Sequence, residues 1–409
     1  MKKTVNKFLA VMVVFVLCLA PIQMSAGQAY VSDYETASPF DLLAGELMFP
    51  EYFGGAYIDG DGNAVLLMVN MPVAPPVLEG RDAAQRPISA HIEQMQTSEG
   101  VTVREVEFAY SDLWATIHLL NELIPPTPED MAAANAGGWH LDVASNRVVV
   151  ELVDFTEDAV SVFRETVLDM PLIVFTQSDG PVMMDVPKFE CLKMIEFGET
   201  MIMPLNTSPL LGSRITVRRN GVPISGGGSI GYRATLNGVR GFITAAHITG
   251  GLRVGDEIFH GWVSGRLGVV ASSAHVQLNG ADAAFITLQS GIEIGNRVAR
   301  REIHGSTTHL WRGQEIASVG ATTPGYRVGH ITATGQRGSF LHEGTGITVI
   351  IQNMIESTAP SQSGDSAGIT ICLIMDAAVG IHVAGNRENT LSWHSTVSEI
   401  NRGIGAVAR

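Results

Sequence analysis

The stretch "PSQSGDSAGITI", Pro360 to Ile371, sets one serine, Ser366, between an aspartate and small residues, directly ahead of an apolar strand. A serine hydroxyl is a poor nucleophile until a base takes its proton and something holds the oxyanion. If Ser366 is such a nucleophile, a histidine and a carboxylate must stand elsewhere in the chain. The small neighbours would then let backbone N–H groups approach the reacting carbonyl. The competing reading is a polar surface turn, the ordinary meaning of a Gly/Ser/Asp cluster.

Working back from Ser366, "RGFITAAHITGG" puts His247 just after an apolar strand that ends in small residues. Such a place can present an imidazole beside a cleft, although most of the twelve histidines in this chain need no such role. "NGADAAFITLQS" puts Asp282 directly before another apolar strand, where its carboxylate can be buried against an imidazole. A buried aspartate fixes the tautomer and orientation of the histidine and stabilises the imidazolium as it forms. The order along the chain is His, Asp, Ser. Asp256, in "RVGDEI", is the rival carboxylate; it follows His247 too closely, in a turn-like context, and is set aside.

The rest of the chain bounds what these residues can serve. Its 409 residues suffice for two or three domains, and 45% hydrophobic against 16% charged residues is the balance of a chain that buries cores. A formal net charge of -15 argues against nucleic acid or anionic membrane surfaces as main partners. Lys2, Lys3 and Lys7 precede the apolar run "FLAVMVVFVLCLA", Phe8 to Ala20, and small residues follow in "SAGQA". This reads as a signal peptide over residues 1–29, cut after Ala26 or Ala29 and too short for a comfortable membrane span. The expectation is an exported, soluble protein with no retained anchor. Cys18 leaves with the signal, so Cys191 and Cys372 remain. Cys372, inside "GITICLIMD", reads as a small buried apolar residue, with a Cys191–Cys372 bridge as the alternative.

The first half carries a degenerate repeat. "GAYIDGDGNAVLLMV" from Gly55 and "GWHLDVASNRVVVEL" from Gly138 place Asp59 and Asn63 in register with Asp142 and Asn146, and each copy reads strand, polar turn, strand. Helical patterns follow in "SDLWATIHLLNELI" from Ser111 and "TEDAVSVFRETVL" from Thr156, where Thr156 is placed to cap. "DGDGN" at Asp59 invites a calcium reading, but Ala64 and Asn70 stand where that loop needs glycine and glutamate, so a hairpin turn is expected. From about Gly212 short β-rich runs alternate with Gly, Ser, Thr and Asn, and helical periodicity returns only in "STVSEINRGIG". Many short strands with turn signals suggest a barrel or sandwich. The segment Cys191 to Ser208 reads as the junction.

"TAAH", "DAAFI" and "GDSAG" resemble the three triad motifs of the chymotrypsin-like serine proteases, and most nearly the secreted bacterial branch of streptogrisins and alpha-lytic protease. The resemblance runs from about Gly212 to the C-terminus, including "GGGSIGYRA" and "VGATTPGYRVGHITA". "VREVEFAYSDL" and "GWHLDVASNRVVV" are similar to motifs of that branch's pro-region. The resemblance implies a mainly β protein: two antiparallel six-stranded β-barrels over residues 206–409, preceded by an α+β pro-region over residues 30–205 that assists folding or inhibits. It implies His247 as general base, Asp282 as its orienter and Ser366 as nucleophile, with the N–H groups of Gly364 and Ser366 forming the oxyanion hole. No cofactor or metal is implied, and no HExxH-type spacing is present. Ala367 and Ile369 stand where the family usually has glycine and proline, Ile248 replaces a disulfide cysteine, and Val319 replaces an arginine that pairs with the residue at Asp365.

The implied function is a secreted serine endopeptidase made as a zymogen, with peptide or protein as substrate and its own pro-region as partner. The alternative is an inactive pseudoprotease that binds peptides or a partner surface. For specificity the informative run is "AVGIHVAGN", Ala378 to Asn386. In the family the strand after the serine lines the primary pocket and pairs with the substrate backbone, which makes His382, Ser363 and Gly385 the substrate-binding candidates. "GIH" resembles the glutamate-specific streptogrisin relatives, and "HVAGN" the picornavirus-type proteases that accept glutamine. An imidazole N–H with the Ser363 hydroxyl at the pocket mouth suits Glu or Gln before the cut. Pro360 and Ser361 stand at the expected pocket base, where an aspartate would select basic residues.

Overall fold

The computed structural model describes residues 49–69, 92, 96, 97, 100–183 and 208–409, apart from 262–264, 275–279, 299–300, 309, 323–324, 343–345, 387 and 389. The expected signal peptide and Cys191 lie outside the described residues, as does nearly all of the junction.

The repeat in the first half folds as two copies of one motif. Phe53–Ile58 and Ala64–Val69 form an antiparallel hairpin, and Val101–Val106 adds in parallel. Ala136–Asp142 and Arg147–Leu152 form the second hairpin, and Ile173–Gln177 adds in parallel after the helix Glu157–Thr166. Arg147–Leu152 alternates half-buried and buried residues, the period of a sheet with one face on a core. Thr156 caps its helix by accepting from the Ala159 N–H at 3.1 Å, as its sequence position predicts. The "DGDGN" segment is a hairpin turn: Asp59 Oδ1 accepts from the N–H groups of Asp61 and Asn63 at 3.0 and 2.7 Å. In the second copy the buried Asn146 joins the two motifs. Its amide donates to the carbonyls of Gly54 and Phe108, and its oxygen accepts from the Phe108 N–H.

Apart from the short ribbon of Arg297–Val298 and Arg301–Glu302, the described strands after residue 212 build two sheets. In the second, Glu315–Val319, Ile369–Cys372, Ala377–Gly385, Ser392–Thr396, Ile347–Ser357 and Arg327–His342 are hydrogen-bonded in that order. The last also pairs with the first, which closes a six-stranded antiparallel ring. The first sheet carries eight strands rather than the expected six. The chain's last strand, Val407–Ala408, adds to Arg233–Leu236, and the glycine-rich Val222–Ser229 pairs with Arg214–Arg219. One apolar core runs through this sheet and into the ring, from Phe242, Phe285 and Ile286 to Ile369, Ile371 and Ile381. The closing helix Val397–Ile404 is where the sequence places it, with Thr396 as its cap.

The two halves are joined by strand pairing. Arg327–His342, already a ring strand, pairs on its other edge with Ala136–Asp142, so the N-terminal strands extend the ring's sheet. Gly138 sits at this join. A Cβ there would fall 2.3 Å from the carbonyl oxygen of Arg337, so only glycine fits. Arg337 is 1% exposed; its guanidinium lies 4.5 Å over the ring of Trp139 and donates to the Ile124 carbonyl at 2.6 Å. Burial lowers it to about 10, which leaves it charged at neutral pH. Among the described residues, no helix is long and apolar enough to cross a membrane.

Candidate active site

His247 follows Val239–Thr244, the strand that carries Phe242 and Ile243 into the core, so its backbone is fixed at the sheet's end. Asp282 immediately precedes the neighbouring strand Ala283–Leu288, which pairs with Val239–Thr244 from Thr244↔Ala284 onward. Ser366 precedes the ring strand Ile369–Cys372. The two residues from the eight-stranded sheet therefore meet one from the ring.

The carboxylate of Asp282 is fully buried and accepts twice from one residue. Oδ1 takes the His247 main-chain N–H at 2.9 Å, and Oδ2 lies 2.5 Å from His247 Nδ1. His247 Nε2 lies 2.8 Å from Ser366 Oγ. All three residues are nearly or wholly buried, where weak screening strengthens each contact. With Nδ1–H donated to Asp282, Nε2 presents its lone pair to the serine hydroxyl, the arrangement of a base ready to take that proton. Gly364 has φ +96°, a region that L side chains rarely adopt, so glycine is what lets the backbone turn just before Ser366. Ala367, in the family's glycine position, adopts φ +66° all the same, and its N–H donates to the His382 carbonyl at 2.9 Å.

Together these are two packed β-bodies, one a closed ring of six, with Asp, His and Ser meeting between them. The fold is chymotrypsin-like.

Residues 118–178 match the family model described as Pro-like C-terminal domain. Among solved structures, Nocardiopsis protease (NAPase) is 25% identical with a TM-score of 0.40, over 50% of this chain and 100% of its own. Cellulomonas bogoriensis chymotrypsin is 24% identical with a TM-score of 0.38, over 50% and 99%. A glutamic acid specific serine protease that uses a histidine triad in substrate binding is 21% identical with a TM-score of 0.37, over 49% and 100%. The chain resembles these bacterial proteases. No curated protein matches.

Three residues set aside or left open in the sequence are now placed. Asp256 is engaged elsewhere: both its oxygens accept from Arg219 at 2.8 Å, and the Arg253 N–H adds a third bond at 2.9 Å. Burial pushes its carboxyl up, and the Arg219 hydrogen bonds with the Arg253 N–H outweigh this and leave it below its ordinary value. Asp365, whose customary arginine is replaced by Val319, is held instead by main-chain donors: Oδ1 accepts from the Thr322 N–H at 2.8 Å and Oδ2 from the Gln362 N–H at 3.0 Å. Cys372 is free and buried, and the Gln314 amide lies 3.2 Å from its sulfur.

His382 is fully buried on Ala377–Gly385, against the loop that carries Ser366: its N–H donates to the Gly368 carbonyl at 2.8 Å. Its partner across the ladder is His394, and residues opposite one another on antiparallel strands share a face. The two rings lie 5.4 Å apart. His394 places Nδ1 2.8 Å from Thr370 Oγ1 and Nε2 2.8 Å from Ser357 Oγ. Burial, and then the neighbouring His382, push His394 well below the ordinary histidine value, so it is neutral at pH 7. Ser363 is exposed, Ser361 is buried, and Gly385 is the register partner of Ser392 at the far end of the strand. Sequence reasoning singled out His382 and passed over its ladder partner His394, which sits in "SWHST" without a motif around it.

Proposed function

We propose that this chain is an exported serine endopeptidase made as a precursor, which cuts peptide bonds after glutamate or glutamine. The observation that carries the reading is the continuous hydrogen-bonded line from Asp282 Oδ2 through His247 to Ser366 Oγ, at 2.5 and 2.8 Å. In this reading Ser366 Oγ attacks the substrate carbonyl while His247 Nε2 takes its proton. Asp282 stabilises the imidazolium that results, and the N–H groups of Gly364 and Ser366 donate hydrogen bonds to the carbonyl oxygen as negative charge grows on it. His247 then returns the proton to the leaving amine, and a water repeats the sequence to free the acid. No cofactor enters these steps.

His382 supports the preference for Glu or Gln. It lies one strand from the nucleophile's loop, backed by a neutral His394 and two hydroxyls, with no carboxylate at position 360 or 361 to favour a basic residue. A buried imidazole left without its substrate oxygen costs about 1–3 kcal/mol, so apolar residues are disfavoured. The role of residues 30–205 as a pro-region is supported by the match over 118–178 and by the strand pairing that docks Ala136–Asp142 on the ring. Residues 1–29 serve as the export signal.

The test is a fluorophosphonate probe applied to the form recovered from the medium, with Ser366→Ala alongside, and N-terminal sequencing of that form. Label on the wild type alone is expected. A wild type that takes no label turns the assignment toward a peptide-binding pseudoprotease.

A further inference from the structure

His342 ends the ring strand Arg327–His342 and is 5% exposed. Its Nε2 lies 2.9 Å from the main-chain carbonyl oxygen of His247, and the two rings are 6.2 Å apart at 66°. A carbonyl only accepts, so His342 Nε2 carries a proton and donates it. His247 is thus gripped by two different bodies. Asp282, from the eight-stranded sheet, takes its main-chain N–H and Nδ1–H. His342, from the ring, holds its carbonyl.

The nucleophile belongs to the ring as well, since Ser366 leads into Ile369–Cys372. The distance that matters for proton transfer, His247 Nε2 to Ser366 Oγ, therefore spans the two bodies. Asp282 orients the imidazole within its own sheet and makes no reference to where the serine stands. The segment after His247 is a turn closed by the Leu252 N–H on the Ala246 carbonyl at 2.8 Å, and it carries unfavourable backbone: Thr249 has φ +60°, which is costly for a β-branched residue, and Gly250 and Gly251 also have positive φ. Between the two bodies the Ser229 N–H ties the eight-stranded sheet to the Ser366 carbonyl at 2.9 Å, and a donor rooted in the ring adds a second tie, at the His247 end.

We propose that His342 is a positioning residue, which sets the reach of His247 to Ser366 by tying the His247 carbonyl to the body that carries the nucleophile. The inference rests on His247 and Ser366 being base and nucleophile. Its test is the second-order rate of fluorophosphonate labelling in His342→Phe and His342→Gln. Phenylalanine fills the space without a donor, whereas the glutamine amide restores an N–H at similar reach. A misplacement of the base by a fraction of an ångström predicts labelling about ten-fold slower or worse in His342→Phe. His342→Gln should recover to within about three-fold of wild type, since one neutral donor replaces another. Each rate is read on protein with a cooperative melt, and His342→Met replaces the phenylalanine variant if that one does not fold. A donor-free variant as fast as wild type overturns the inference alone. So does a glutamine variant as slow as phenylalanine, because the effect would then be packing. A wild type that takes no label overturns the active-site reading and this inference with it.

Discussion

Replacing Asp282 by asparagine changes one atom type and should change the tautomer of His247, the proposed base. Oδ1 of Asp282 accepts from the His247 main-chain N–H, a group that can only donate. The asparagine carbonyl oxygen must therefore take that position. Its NH2 then falls where Oδ2 now stands, 2.5 Å from Nδ1 in the wild type. Two donors cannot face one another, so Nδ1 becomes the acceptor and the ring proton moves to Nε2. That nitrogen points at Ser366 Oγ and can no longer take its proton. Triads of this kind lose on the order of 10,000-fold in kcat from the wrong tautomer, about 5.4 kcal/mol. The fold should survive, because each hydrogen-bonding group keeps a partner. Asp282→Ala differs: it leaves two buried donors without acceptors and should cost about 2–6 kcal/mol of stability as well. The assay is the labelling rate of Ser366 by a fluorophosphonate, with a thermal melt on the same samples. An asparagine variant labelled within ten-fold of wild type would refute the claim that Asp282 sets the tautomer.

Three further outcomes are expected. His382→Ala should flatten a preference for Glu or Gln before the cut by at least about ten-fold in a mixed peptide library; an unchanged profile removes His382 from the pocket. Asp256→Asn should lower stability by about 2 kcal/mol at neutral pH, through lost charge-assisted bonds to Arg219. The folded carboxyl sits below the ordinary aspartate value of about 3.9, so the unfolded chain takes the proton first as the pH falls. The wild-type advantage is therefore full above about pH 4 and fades below it, and equilibrium unfolding at several pH values checks this; a difference that grows in acid contradicts it. Thr249→Asn should raise stability by about 1 kcal/mol, since asparagine tolerates the left-handed backbone at φ +60° that threonine resists, and a denaturant midpoint that falls would mean the threonine's own contacts matter more than its backbone.

What could be read from the sequence was local. The repeat with Asp59 and Asp142, the cap at Thr156 and the closing helix each depend on neighbours a few residues away, and each stands where it is expected. The meeting of His247, Asp282 and Ser366 was legible because each sits at the end or start of an apolar strand inside a recognisable motif. His394 was not, because its relation to His382 is a matter of register between two strands, and register is set by the whole ring rather than by either segment. The holders of Asp365 are main-chain N–H groups of Thr322 and Gln362, and any residue but proline supplies one, so no pattern of side chains announces them. The edge-to-edge pairing of Ala136–Asp142 with Arg327–His342 is silent for the same reason, save for the glycine at 138.

That pairing also has a clock in it. On the ribosome the N-terminal strands, complete by Met183, emerge before the strand Arg327–His342 that they border. At the usual pace of synthesis the interval is on the order of ten seconds, ample for a small α+β unit to fold. The ring's six strands, by contrast, close only when Ser392–Thr396 arrives, near the end of the chain. Its longest strand thus enters a world in which a matching edge is already waiting. If residues 30–205 are the pro-region proposed above, the slow step of a β-ring, bringing distant strands into register, begins from a finished template instead of from open chain.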